Sequence, residues 1–176
     1  MYLPKYPLDA AQDFSMFGFV SNGKADPIYK RIQFTPTNFE GIVNLSFGDC
    51  STEESEPNDE VQSRNGDMAL VLATVAASVY VYARENPKTW IFLTGSTPAR
   101  TRLYRMAISN YWADIEKDFE VMGLSEEGWH TFVKGKSYMG FAVKKKDGRN
   151  FDDVLLRENV VENEGKRKGG LDKGGE

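Results

Sequence analysis

Thr89-Trp90-Ile91-Phe92-Leu93, continued by Thr94-Gly95-Ser96-Thr97-Pro98-Ala99-Arg100-Thr101-Arg102-Leu103-Tyr104-Arg105, decides the fold. The first five residues are a short apolar run between breakers, the pattern of a buried central strand. Thr97 then precedes Pro98, an N-cap followed by proline at the first helical position. The spacing predicts a helix from Pro98 to about Asn110 with an apolar stripe of Ala99, Leu103, Met106 and Ala107, and Ile115 and Phe119 either extend it or open the next segment.

Upstream, Met68, Val71, Leu72, Val75, Val79 and Tyr82 recur at helical spacing, and alanines fill the other faces. A helix apolar nearly all round belongs against a sheet. Asn65-Gly66-Asp67 starts it and Asn86-Pro87 stops it. The first fifty residues read as three strands: Phe14 to Val20, Ile28 to Phe34 and Ile42 to Phe47, separated by turn residues. Cys50 to Glu60 is an acidic, solvent-favouring loop. Downstream, Trp129 to Val133 and Tyr138 to Lys144 read as two strands joined across Lys134-Gly135-Lys136. The predicted fold is α+β, a mostly antiparallel sheet against two helices in the order βββαβαββ. An extension (1–13), one domain (14–146) and a charged, disordered tail (147–176) are expected.

A chain of 176 residues with 40% hydrophobic and 12% aromatic content supports one core. The formal charge of −4 gives no global attraction to nucleic acid or anionic lipid, so such binding needs a local patch. One cysteine, Cys50, excludes an intramolecular disulfide, and one histidine leaves too few ligands for a His/Cys zinc site. The N-terminus lacks the apolar stretch of a signal peptide, and Met68 to Ala83 falls short of the roughly 20 residues of a membrane span. The expectations are a cytoplasmic location with no cofactor, metal or membrane.

Chemistry concentrates at the strand-to-helix junction. Unpaired N–H groups at a helix start carry partial positive charge and form a ready anion site. Gly95 would let the backbone approach a ligand, and Ser96, Thr97 and Thr101 add hydroxyls. Arg102 and Arg105 lie about 60° apart on the helix face and could share one anion. Arg100 points elsewhere, toward a buried carboxylate or a loop carbonyl. From Pro87 to Ala113 no residue is acidic. Arg100, Asp49, Lys134 and Lys136 are candidate supporting residues. Capping chemistry with solvated surface arginines explains the same pattern, and no Gly-x-x-x-x-Gly-Lys or Gly-x-Gly-x-x-Gly motif is present. His130, beside Trp129 in an expected strand, reads as structural. Lys134, Lys136, Lys144, Lys145 and Lys146 with Tyr138 and Phe141 fit either a single-strand binder or an amphipathic edge hairpin.

Several blocks together resemble a family of small proteins of unknown function found mainly in Bacteroidetes. They are Phe17 to Lys24, Ile32 to Pro36, Asn44 to Asp49, Asn65 to Asp67, Val71 to Ala76, Thr94 to Met106, Lys117 to Glu120 and Lys134 to Phe141. The resemblance implies a bacterial cytoplasmic protein and supplies no catalytic residue. The leading expectation is a module that holds a nucleic-acid backbone, RNA or DNA, or a nucleotide phosphate, in a toxin–antitoxin or phage-defence setting. A small enzyme using Ser96, Thr97, Arg100, Arg102, Tyr104 and Asp49 is one alternative. A protein–protein interaction domain, self-associating or binding a partner, is the other.

Overall fold

The computed structural model describes residues 3–53, 55–58 and 65–147. Eight strands form one sheet: β1 (Asp9–Ala10), β2 (Met16–Ser21), β3 (Ile28–Pro36), β4 (Ile42–Asp49), β5 (Trp90–Leu93), β6 (Phe119–Ser125), β7 (Gly128–Thr131) and β8 (Gly140–Lys145). Their spatial order is β1-β2-β3-β4-β5-β8-β6-β7. Helix α1 (Met68–Glu85) connects β4 to β5, which pair in parallel; the other pairings among the described residues are antiparallel. Helices α2 (Pro98–Asn110) and α3 (Trp112–Asp118) follow β5. The α+β class and the mostly antiparallel sheet agree with the sequence reading.

The core lies between the helices and one sheet face. Val43, Leu45 and Phe47 of β4, Ile91 and Leu93 of β5, and Phe141 and Val143 of β8 are buried there, every second residue along each strand. Tyr82 of α1 stacks on Phe34 of β3 at 4.2 Å, and Tyr104 of α2 meets Phe47 edge-on at 6.1 Å. By length and composition α1 is apolar enough to cross a membrane, with a mean hydropathy of 1.3 over 18 residues. Its buried residues, including Val71, Val75, Val79 and Tyr82, make it a core helix.

Four details differ from the expectation. There are three helices among the described residues, because the chain turns at Tyr111 and begins α3. A strand, β6, follows α3 without a loop: Phe119, Val121 and Gly123 alternate with Glu120 and Met122. The residues around Lys134-Gly135-Lys136 do not join a hairpin, since β6 pairs with both β7 and β8 and separates them. The buried stripe of α2 is Arg100, Thr101, Tyr104 and Ile108, whereas Met106 is exposed. The tail after residue 147 and acidic-loop positions 54, 59 and 60 lie outside the described residues.

The segment before residue 14 is tied to the domain. β1 pairs with β2, and Tyr6 stacks on Phe19. The Tyr6 hydroxyl and the Ser21 hydroxyl both donate to Oδ2 of Asp67, the residue before α1. Burial pushes the Asp67 carboxyl upward, but those two hydrogen bonds and the nearby Lys30 charge outweigh it and hold the group below its usual range. A depressed folded value means stability that is present above the unfolded value and is lost as pH falls through the folded one. Asp67→Asn is therefore expected to lower stability at pH 7 while flattening the acid side of the stability profile, read by urea denaturation across acidic pH. An unchanged acid limb in the variant would remove Asp67 from the acid response.

Candidate functional site

β4 and β5 run parallel with α1 between them, so the starts of α1 and α2 face the same edge of the sheet, outside the carboxyl ends of these two strands. Ligand clefts in open sheets form at such edges. At the α2 end of this edge lies a cavity of about 460 Å³. One wall is Thr94 to Pro98 with Thr101, Arg102 and Arg105; the other is Ser137, Tyr138 and Met139. The volume is in the range of small-molecule sites.

The turn into α2 is built by its own hydroxyls. The Thr97 side chain accepts from the Arg100 N–H at 3.2 Å, an ordinary N-cap. The Gly95 N–H donates to Thr101 Oγ1 at 3.0 Å, and Thr101 Oγ1 donates to the Thr97 carbonyl at 3.3 Å. Gly95, Thr97 and Thr101 therefore shape the turn. A Cβ on Gly95 would lie 2.5 Å from Arg100 Cβ and 2.5 Å from the Thr101 nitrogen. Glycine is required here by the packing of the turn on the helix, a reason different from ligand approach.

The arginines separate as their spacing implies. Arg102 and Arg105 both line the cavity, with Arg102 exposed and Arg105 half-buried. Arg105 Nη1 donates to Ser137 Oγ at 2.6 Å. Arg100 is 8% exposed and lies with its guanidinium carbon 4.7 Å from the Phe47 ring centroid. Its partner is thus an aromatic face, where a carboxylate or carbonyl was expected. Its Nη1 is buried without a hydrogen-bond partner.

The second wall had no local signal in the sequence, because residues 137–139 reach α2 only through long-range pairing. Thr94 Oγ1 donates to the Met139 carbonyl at 3.2 Å, and the Met139 N–H donates to the Leu124 carbonyl of β6 at 2.7 Å. Lys134 and Lys136 are exposed on the approach to this wall, and Lys136 Nζ lies 5.7 Å from the Tyr138 ring centroid. Residues 86–146 carry a basic excess within a chain of net charge −4.

Other candidates fall elsewhere. Asp49 pairs with the buried Lys30 at the far end of the same edge and does not line the cavity. Tyr104 is buried against Phe47. His130 is exposed on β7, the last strand in the sheet order. Cys50 is buried, and burial pushes its thiol above the ordinary value, away from the thiolate a nucleophile needs. Among the described residues no carboxylate or histidine lines the cavity and no cluster suits a metal ion.

No curated protein and no solved structure matches the chain. A family model does match, over residues 2–146. The chain that builds this arginine-lined cavity belongs to a family of unknown function (DUF6934).

Proposed function

We propose that the protein is a small anion-binding module and that its ligand group is a phosphate, of a nucleotide or of a nucleic-acid backbone. One observation carries this reading: Arg102 and Arg105 open into one cavity at the start of α2. Two guanidinium forks and a helix N-terminus attract the same sign of charge. Lys134 and Lys136 extend the positive field along the approach. A cavity lined by arginines and hydroxyls, without a carboxylate or histidine among the described residues, favours binding over acid–base catalysis. A cytoplasmic location goes with this reading, as does a nucleic-acid or nucleotide partner.

The test is Arg102→Ala combined with Arg105→Ala. Neither side chain is in the core, so the melting curve should stay near wild type. Affinity for pyrophosphate and for a short oligonucleotide should fall at least about tenfold, two charge-assisted hydrogen-bonding groups being removed. The slope of log affinity against log salt for a single strand should become shallower by about 0.7 for each phosphate that is no longer neutralised. A wild-type protein with no salt-sensitive binding to nucleotide, pyrophosphate or oligonucleotide would sink the reading.

A further inference from the structure

The sheet face turned away from the helices carries aromatic side chains next to the cavity. In β5, Ile91 and Leu93 are buried under the helices, so Phe92 points to the opposite face. Its ring meets Trp129 of β7 edge-on, with centroids 5.7 Å apart. Two strands separate them, and Gly140 explains how the rings meet. A Cβ at Gly140 would lie 3.0 Å from Phe92 Cε2, so the missing side chain leaves room for the Phe92 ring above β8. Leu124 pairs with both Gly140 and Trp129, which places Trp129 in the same row. Trp129 is 45% exposed, an unusual state for the largest apolar side chain.

This ring pair adjoins the phosphate cavity along the backbone. Thr94, two residues after Phe92, and Met139, the residue before Gly140, both line the cavity and hydrogen-bond to each other. From Thr94 across β8 and β6 to Trp129 is three strand spacings, about 14 Å. A basic notch and a stacking surface separated by that span match a polymer in which phosphates and flat bases alternate. Glu126 and Glu127 at the β6–β7 turn bound the far end, since a polyanion is repelled there.

We propose that the Phe92–Trp129 ring pair and the cavity at the start of α2 form one continuous groove for single-stranded nucleic acid. A phosphate sits between Arg102 and Arg105, and a base further along the same strand stacks on Trp129. Base stacking is tolerant of sequence, so the groove reads strandedness more than sequence. The inference rests on the anion-binding reading and adds the ligand class to it.

Fluorescence anisotropy of labelled oligo(dT) and oligo(rU), run beside pyrophosphate titrations, tests it with Trp129→Ala, Trp129→Phe and the Arg102/Arg105 double alanine variant. Trp129→Ala should weaken both oligonucleotides by about tenfold or more, the contribution of one stacked base, and leave pyrophosphate affinity unchanged. Trp129→Phe, which keeps a ring, should recover most of the loss. The double arginine variant should lose both classes of ligand. If Trp129→Ala binds oligonucleotide like wild type, the ring pair is no part of the groove, and the inference is overturned while the anion reading stands. It is equally overturned if wild type binds pyrophosphate or a mononucleotide but neither oligonucleotide, or prefers duplex over single strand. If wild type binds none of these ligands, the anion reading itself is lost.

Discussion

Replacing Gly95 by alanine is expected to destabilise the protein by about 2–3 kcal/mol and to impair ligand binding at the same time, because overpacking here has no flexible neighbour to yield. The added methyl would meet Arg100 Cβ and the Thr101 backbone nitrogen, each at 2.5 Å. These atoms belong to the first turn of α2 and cannot rotate away as a side-chain tip can. Relief requires the turn to move off the helix, which stretches the hydrogen bond from the Gly95 N–H to Thr101 Oγ1. Since Thr101 Oγ1 also bonds the Thr97 carbonyl, the turn that sets the cavity wall distorts with it. Denaturant unfolding and pyrophosphate titration on the same sample check both halves. A Gly95→Ala protein as stable as wild type would show that the turn has slack.

The second large effect belongs to Asp49. Its carboxylate pairs with Lys30, which is only 4% exposed. Removing one partner of a buried pair costs roughly 3–5 kcal/mol, because an ammonium is left in a poor dielectric without that carboxylate. The lower end of the range is expected, since Asp67 also feels the Lys30 charge. Asp49→Ala should therefore unfold at markedly lower urea concentration. Lys30→Met combined with Asp49→Leu should recover much of the loss, because a buried pair exchanged for apolar groups of similar volume is often near neutral. Both variants should bind pyrophosphate as wild type does, as long as they are folded. Loss of binding in the folded double variant would return Asp49 to the site.

The contrast between Asp49 and Arg102 shows which parts of the site were legible in the sequence. Helical periodicity located α1 and the Thr97-Pro98 cap located the start of α2, and a rotation of about 100° per residue separated Arg102 and Arg105 from Arg100. Both inferences use only neighbours within two helical turns. The wall at residues 137–139 depends on β8 lying between β5 and β6, and the β5–β8 pairing joins distant parts of the chain and leaves no local trace. β6 was hidden for a related reason. No glycine or proline lies between Tyr111 and Phe119, so Ile115 and Phe119 read equally as continued helix or as the opening of the next segment, and only burial on the sheet turns Phe119, Val121 and Gly123 into one strand face. Gly95 was located by sequence but its purpose was not. A glycine before a cap suits close ligand approach and close packing equally; the 2.5 Å contacts show the packing, and Gly95 lines the cavity as well.

Two hydrogen bonds described above join the walls of the cavity: Arg105 to Ser137, and Thr94 to the Met139 carbonyl. Because they cross the opening, the gap between α2 and the residues before β8 is set by the fold before any ligand arrives. The entropy of ordering these side chains is lost during folding, so little of it is subtracted from the affinity for the phosphate proposed to bind here. Such a site should take up its ligand in one kinetic phase, with a rate that follows ligand concentration and ionic strength and without a slow rearrangement afterwards.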